Sequence, residues 1–331
     1  MSAMLGNIRW VVCTVVILAS ILLSVQGCDQ SFNPKAPFQQ DLVVFSVLSN
    51  DRDTQYVRVS TNYDVSGFDP SVHQTDGAVI GAQVSVNGPT GLYDFTDILL
   101  PRSDTSRYKT PIRAYTVSPF RPEHGKTYSM GVTSGTYGTA TSTVTLPDEP
   151  LIGFGLGTYM LDHPDTGDPN NIIYLTALLT SRSKGYLTQL FVDYQVLNGT
   201  EWQDKRIEVP MTVLLDTLNI WEATYPEMRR LQINQISTAY AVKSYVKVLI
   251  RVLNQYPNQK ILFGRVVGRI LQCEPALYDY YNTVNGFRDP ISVRLDEPDY
   301  SNLSGAKGVF GSYTLDSLVH FLPENFSFNV R

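Results

Sequence analysis

Few residues in this chain have the types and spacing to do chemistry, and the strongest of them is a cysteine. Val25-Gln26-Gly27-Cys28 closes an apolar run from Trp10 to Val25 that Arg9 precedes. An aliphatic residue, a tolerant position, a small residue and a cysteine in that order make a lipobox. The Cys28 thiolate would take a diacylglycerol, and Gly27 would let a peptidase reach the bond to be cut. The run falls short of the ~20 apolar residues that cross a bilayer, so residues 1–27 read as a lipoprotein signal peptide. An ordinary signal peptide, or an uncleaved anchor ending near a cysteine, is the competing reading. Several acyl chains, at about 0.8 kcal/mol per buried methylene, would hold the protein on a membrane without a spanning helix. Asp29 adds no sorting information.

The other chemical candidates are weaker. Asp162, Asp165 and Asp168 stand three apart in a polar loop with His163. Closely spaced oxygens suit calcium, which wants six to eight of them, but no EF-hand pattern surrounds these three. They are weak metal candidates, and no metal is expected. His73, His124, His163 and His320 are scattered, with no His-x-x-x-His pair for zinc. Cys13 would leave with the leader and Cys28 would be acylated, so Cys273 is the last thiol and no disulfide can form. Cys273 could be a nucleophile, but a small buried thiol is the better reading. Ser181-Arg182-Ser183-Lys184 and Ser304-Gly305-Ala306-Lys307 both read S-x-x-K, without the partner motifs of penicillin-recognising enzymes. Gly153-Phe154-Gly155-Leu156-Gly157 lacks the flanking strand and helix of a dinucleotide loop. Glu297 and Asp299, beside Pro298, read as a solvated turn. No catalytic residue and no cofactor is therefore expected.

The elements that would position such residues are mostly strands. Residues 29–40 read as a tether. From Leu42, LVVFSVLS and QYVRVST flank an Asn50-Asp51-Arg52-Asp53 turn and make a hairpin signal. Alternating runs at 81–91, 127–134 and 139–146 continue the series to Pro147-Asp148-Glu149-Pro150. About seven strands at 8–12-residue spacing predict an antiparallel β-sandwich over 41–148 that folds alone. Residues 149–331 predict a second β-rich domain. Its strands are 172–180, 186–197 and 244–254, the last with Val246, Val248, Ile250 and Val252 on one face. Residues 260–272 fit strand or helix. A short amphipathic helix is predicted over 274–286, with Pro275 in its first turn, Gly286 as its stop and Tyr278 on its exposed side. The formal charge of −5 argues against a nucleic-acid partner. The 20 tyrosines suit half-exposed strand positions or an exposed binding face.

Several of these patterns, in this order, resemble a family of Bacteroidetes-type envelope lipoproteins catalogued as DUF4249. The residues concerned are Cys28 with its polar tether, Gly81-Ala82-Gln83-Val84-Ser85-Val86, and His124-Gly125-Lys126-Thr127-Tyr128-Ser129-Met130. The most specific are Tyr300-Ser301-Asn302-Leu303 and Gly305-Ala306-Lys307-Gly308-Val309-Phe310-Gly311. Ala306-Lys307 departs from that family's usual glycine pair. The resemblance implies an immunoglobulin-like or transthyretin-like sandwich followed by a β-rich domain. It also implies an outer-membrane lipoprotein associated with a TonB-dependent transporter, and no catalytic residue. The glycines and Asn302 are read as a tight turn leading into a strand that packs Phe310. The expected function is a non-enzymatic, membrane-anchored binding or accessory protein whose small-molecule ligand is unknown. A structural or adhesive surface lipoprotein, or a hydrolase on a β scaffold, is the alternative.

Overall fold

The computed structural model describes residues 37–64, 73–106, 108–155, 157–164, 171–215, 221–285, 300–324 and 326. Cys28, Asp165, Asp168, Gly286, Glu297 and Asp299 lie outside the described residues. Residues 40–331 form one compact unit. Every described strand and both main hydrophobic cores lie within it. The protein is mainly β.

Seven strands come first: β1 (Leu42–Ser49), β2 (Gln55–Thr61), β3 (Gln83–Gly88), β4 (Gly91–Leu100), β5 (Ile112–Val117), β6 (Thr127–Ser134) and β7 (Gly138–Thr145). Their alternation puts Leu42, Val44, Leu48, Val57 and Val59 on one buried face, as the period of two requires. Tyr128, Met130 and Val132 of β6 do the same, as predicted. The remaining elements are β8 (Leu151–Gly155), α1 (Tyr159–Asp162), β9 (Ile172–Leu178), β10 (Gly185–Asn198), β11 (Glu201–Val209), β12 (Thr212–Leu215), β13 (Trp221–Thr224), β14 (Arg229–Arg230), β15 (Gln235–Ala241), α2 (Val242–Gln255), β16 (Ile261–Cys273), α3 (Pro275–Asn285) and β17 (Lys307–Phe321).

Twelve strands join in one mixed sheet, in the order β11-β10-β16-β17-β1-β2-β5-β4-β3-β6-β7, with β14 paired to β10. Among the described strands only β1 and β17 pair in parallel within it; the other ladders are antiparallel. A second sheet, β15-β9-β8, lies apart. The first core is built from residues 42–146 plus Phe310. The second joins β9, β10, β15, β16 and α2. Apart from Phe310 the first core ends at Leu146, and the buried residues of the second begin at Leu161. β17 serves both, however: its Phe310 is buried in the first core, and its carboxyl end pairs with β16.

The turn motif before β17 makes that sharing possible. Asn302 accepts a hydrogen bond from the Phe310 amide at 2.9 Å and donates to the Phe310 carbonyl at 2.7 Å. Gly305 and Gly308 have φ of +81° and +112°, conformations that favour glycine. A β-carbon on Gly305 would collide with the Thr139 carbonyl, and one on Gly308 with the Val44 carbonyl. Ser304 also bridges to Thr141 of β7. The run β17-β1-β2-β5-β4-β3-β6-β7 thus returns on itself, and its last edge is joined to the segment that leads into β17. Ala306-Lys307 leaves this geometry intact.

One expected element differs in type. Residues 244–254 are not a strand but the body of α2. Val242, Tyr245, Val248, Leu249 and Val252 are buried at helical spacing, whereas Val246 and Ile250 are only half-buried. The β-branched run fits both periods, and the apolar positions at 242, 245 and 249 belong to the helical one. Residues 260–272, ambiguous between strand and helix, form β16. Gly268 there lets Leu175 of the second sheet close in, since a β-carbon would come 2.5 Å from Leu175 Cδ1.

Candidate functional site

The inner face of β10 and β16 carries Leu190, Val192, Val266 and Ile270, all fully buried in the second core. Alternation sends their neighbours to the outer face, where three rows cross the strands. Arg206, Asp193, Arg265 and Phe321 make the first; Glu208, Phe191, Val267 and Val319 the second; Gln189, Arg269 and Ser317 the third. Asp193 receives Arg206 in bidentate fashion, at 2.5 and 2.8 Å, and Arg265 at 2.7 Å. The Arg206 hydrogen bonds, and then those of Arg265, hold the Asp193 carboxyl below the usual range against the opposing effect of burial. The Phe191 ring lies between two guanidiniums, Arg269 at 4.7 Å and Arg206 at 5.3 Å from its centroid. Phe321 is 71% exposed and Leu262 48%. A concavity lined by Asp193, Gln195, Arg206, Leu262, Arg265 and Phe321 opens there.

The middle of the same outer face is covered by α3. Glu274, buried, caps this helix by accepting from the amides of Ala276 at 2.6 Å and Leu277 at 2.7 Å. Leu277 packs on Gly311, and Tyr280 meets Phe45 edge-on at 5.5 Å. Tyr278, predicted on the exposed side of the helix, is instead half-buried with its ring over Gly185. Tyr281 is the exposed tyrosine, at 45%. The correction follows from β10: a strand glycine leaves a hollow that a neighbouring aromatic ring fills. Beyond α3 a second concavity is lined by Phe45, Tyr56, Arg58, Leu100, Ile112 and Tyr313.

The other sequence candidates fall into structural roles. Asp162, the described member of the acid triplet, pairs with His320 at 2.7 Å. Among the described residues no group of three or more His, Cys, Asp or Glu is placed to hold a metal. Cys273 is buried beside Met228, and burial pushes its thiol up to about 12, so it is not a thiolate at neutral pH. In the first S-x-x-K, Ser183 donates to Gln272 and Lys184 pairs with Asp279. In the second, Ser304 spends its backbone on Thr141. Gly153 and Gly155 lie in β8 against Thr176 and Tyr174. His124 lies at the junction of the two halves, its Nε2 3.0 Å from both Asp316 and Asn50 and its Nδ1 3.3 Å from the Pro147 carbonyl.

No single segment of the sequence marks the arginine–aromatic rows. The signal was present in the second face of 186–197, where Gln189, Phe191, Asp193 and Gln195 alternate with the buried apolar residues. Their partners lie on β11, β16 and β17, and only the register assembles them. No helix among the described residues is long and apolar enough to cross a membrane.

No family model matches the chain, and no curated protein matches it. Among solved structures, the crystal structure of a DUF4785 family protein from Legionella pneumophila is similar at 10% identity. The match covers 70% of this chain and 51% of that one, with a TM-score of 0.21. The chain thus spans about half the length of that protein, and a likeness at this TM-score carries no inference about fold or function.

Proposed function

We propose that this protein is a lipid-anchored envelope protein that works by binding, and that the outer face of β10, β11, β16 and β17 is where a partner protein docks. The reading rests on one observation: a sheet whose inner face is filled by a core lays Arg206 and Arg269 over the buried Phe191 ring, with Arg265 in the neighbouring row and Phe321 and Leu262 exposed beside them. Arginine and aromatic side chains are the types that dominate binding energy at protein interfaces. The resemblance to DUF4249 lipoproteins supplies the partner class, a TonB-dependent outer-membrane transporter, and the anchor, acylated Cys28. β17 advances roughly 45 Å from Lys307 to Phe321, at about 3.3 Å per residue. Lys307 pairs beside the start of β1, where the tether joins the unit, so the face lies at the far end of the shared strand.

Two variants test this reading. Cys28→Ala releases the protein from the membrane fraction or leaves the leader uncleaved; a variant still cleaved after Gly27 and still lipid-bound contradicts the anchor. Arg269→Glu with Phe321→Ala keeps a cooperative melt, at a cost of about 1 kcal/mol for the lost Arg269–Phe191 contact. The same double variant no longer co-purifies with the transporter. Unaltered co-purification sends the docking surface elsewhere.

A further inference from the structure

The concavity beyond α3 has a volume of about 310 Å³ and is built on strands of the long sheet. Register assembles it: Phe45 of β1 pairs with Arg58 of β2, Leu100 of β4 with Ile112 of β5, and Ser49 of β1 with Tyr313 of β17. Phe45 and Tyr56 are 40% and 39% exposed, and the Tyr280 ring braces Phe45 edge-on. Tyr313 is fixed by donating to Asp51 at 3.1 Å and accepting from Arg52 at 3.2 Å. Arg58 donates through Nη2 to Asp76 at 2.8 Å, and Arg102 donates to the other oxygen of that carboxylate at 2.5 Å. Asp76 keeps only 7% of its side chain exposed. Two guanidiniums thus share one carboxylate, and a positive charge is left over beside the hollow. Arg52 is set by the turn before β2, which Gln55 ties down by donating to the carbonyls of Ser49, Arg52 and Phe120. The described lining of the hollow contains these two arginines, Arg52 and Arg58, and no acidic residue.

We infer that this hollow binds an aromatic monocarboxylate, with the ring among Phe45, Tyr56 and Tyr313 and the carboxylate on Arg58 and Arg52. Charge selects the headgroup: an arginine pair that shares one carboxylate is complemented by one further negative charge. The planar guanidinium fits a carboxylate, and Arg58 commits only Nη2 to Asp76 among the described residues. Three rings with Leu100 and Ile112 select the body, because aromatic groups gain from edge-on and offset neighbours beyond the area they bury. The volume is at the small end for a ligand site and suits one ring on a short arm better than a long chain. No described residue lines both this hollow and the concavity at Phe321, so the inference stands apart from the docking proposal.

The test uses the full chain in a nonionic detergent and phenylpropionate, read by calorimetry against a detergent blank. Phenylpropanol is the uncharged probe and hexanoate the probe without a ring. Saturable one-to-one binding of phenylpropionate is expected, with at least about 10-fold weaker binding of phenylpropanol and several-fold weaker binding of hexanoate. Arg58→Gln loses at least about 10-fold in affinity for phenylpropionate and still binds phenylpropanol, so that acid and alcohol become equivalent. Arg102→Gln breaks the other half of the Asp76 pair without touching the hollow and keeps the preference for the acid. N-acetylalanyl-phenylalanine carries the same ring and carboxylate; binding tighter than that of phenylpropionate identifies a peptide carboxyl terminus as the source, and weaker binding a free acid. Equal affinity for acid and alcohol in the parent chain, hexanoate bound as tightly as phenylpropionate, no saturable binding, or an acid preference that survives Arg58→Gln would overturn the assignment.

Discussion

The two ends of the long sheet treat their edges in opposite ways. At the amino-terminal end, β7 is an edge of threonine and small residues, with no charge to repel a further strand. That edge is joined instead to the 301–306 segment, through the Thr141–Ser304 bridge and the Ser142 hydroxyl donating to the Asn302 carbonyl at 2.7 Å. At the carboxyl-terminal end, β11 is the last strand and its residues 201–206 are exposed on both faces. Its Asp204, Lys205 and Arg206 are the kind of charges that discourage strand addition. The first end is closed by sequence-distant glycines and an asparagine. The second stays open and puts arginines and aromatics on its free face. An edge closed by the chain has no room for a partner, whereas a face left open and charged is available to one.

The comparison breaks most readily at Phe310. It is fully buried in the first core although it lies more than 150 residues beyond the strands it packs with. Phe310→Ala is expected to cost about 3–5 kcal/mol, read by chemical denaturation. A fragment of residues 38–148 lacks both Phe310 and the closing segment. It is expected to melt without cooperativity unless residues 300–313 are restored, and a cooperative melt of 38–148 alone would return the closure to a minor role. Gly268→Val tests the other half. Its side chain meets Leu175 and Phe154, and overpacking there is expected to cost about 1–3 kcal/mol while leaving the amino-terminal strands protected from hydrogen exchange.

A smaller effect sits where the halves meet. Hydrogen bonding to Asp316 raises the His124 pKa above its ordinary value, with the Pro147 carbonyl and Glu149 acting in the same direction and burial opposing them. A group whose pKa rises on folding contributes stability that is fully present below its unfolded value, near 6.5. That stability is lost as pH climbs through the raised folded value. The melting temperature should therefore fall from pH 6 towards pH 8, and His124→Gln should flatten that slope. An unchanged slope would mean that the junction holds without the imidazolium, through Asn50 and the Leu315 amide it accepts at 2.8 Å.

How much of this was legible beforehand depended on whether a signal was local. The hairpin at β1 and β2, the alternation of β6 and the Pro275 start of α3 are written in neighbouring residues, and all appear as read. The turn at Asn302, Gly305 and Gly308 was legible as a turn, since glycine at positive φ leaves a mark in sequence. What it closes was not, because its targets, Thr139 and Val44, lie over 160 residues away. At α2 a run of Val, Ile and Leu satisfies both periods, and tertiary burial chooses between them. Helix phase alone turns Tyr278 outward, and the hollow at Gly185, distant in sequence, draws it in. The arginine–aromatic face needed the register of four strands, which no single segment carries.

The central claim is that the open face at Phe321 is the docking surface, and photo-cross-linking in intact cells tests it most directly. p-Benzoylphenylalanine at position 321 is compared with the same residue at Leu92, 62% exposed on the amino-terminal half. The account predicts one discrete adduct from position 321, containing an outer-membrane transporter and lost when Arg269→Glu is added, and none from position 92. An adduct from position 92 alone, or one from position 321 that Arg269→Glu leaves undiminished, would contradict it.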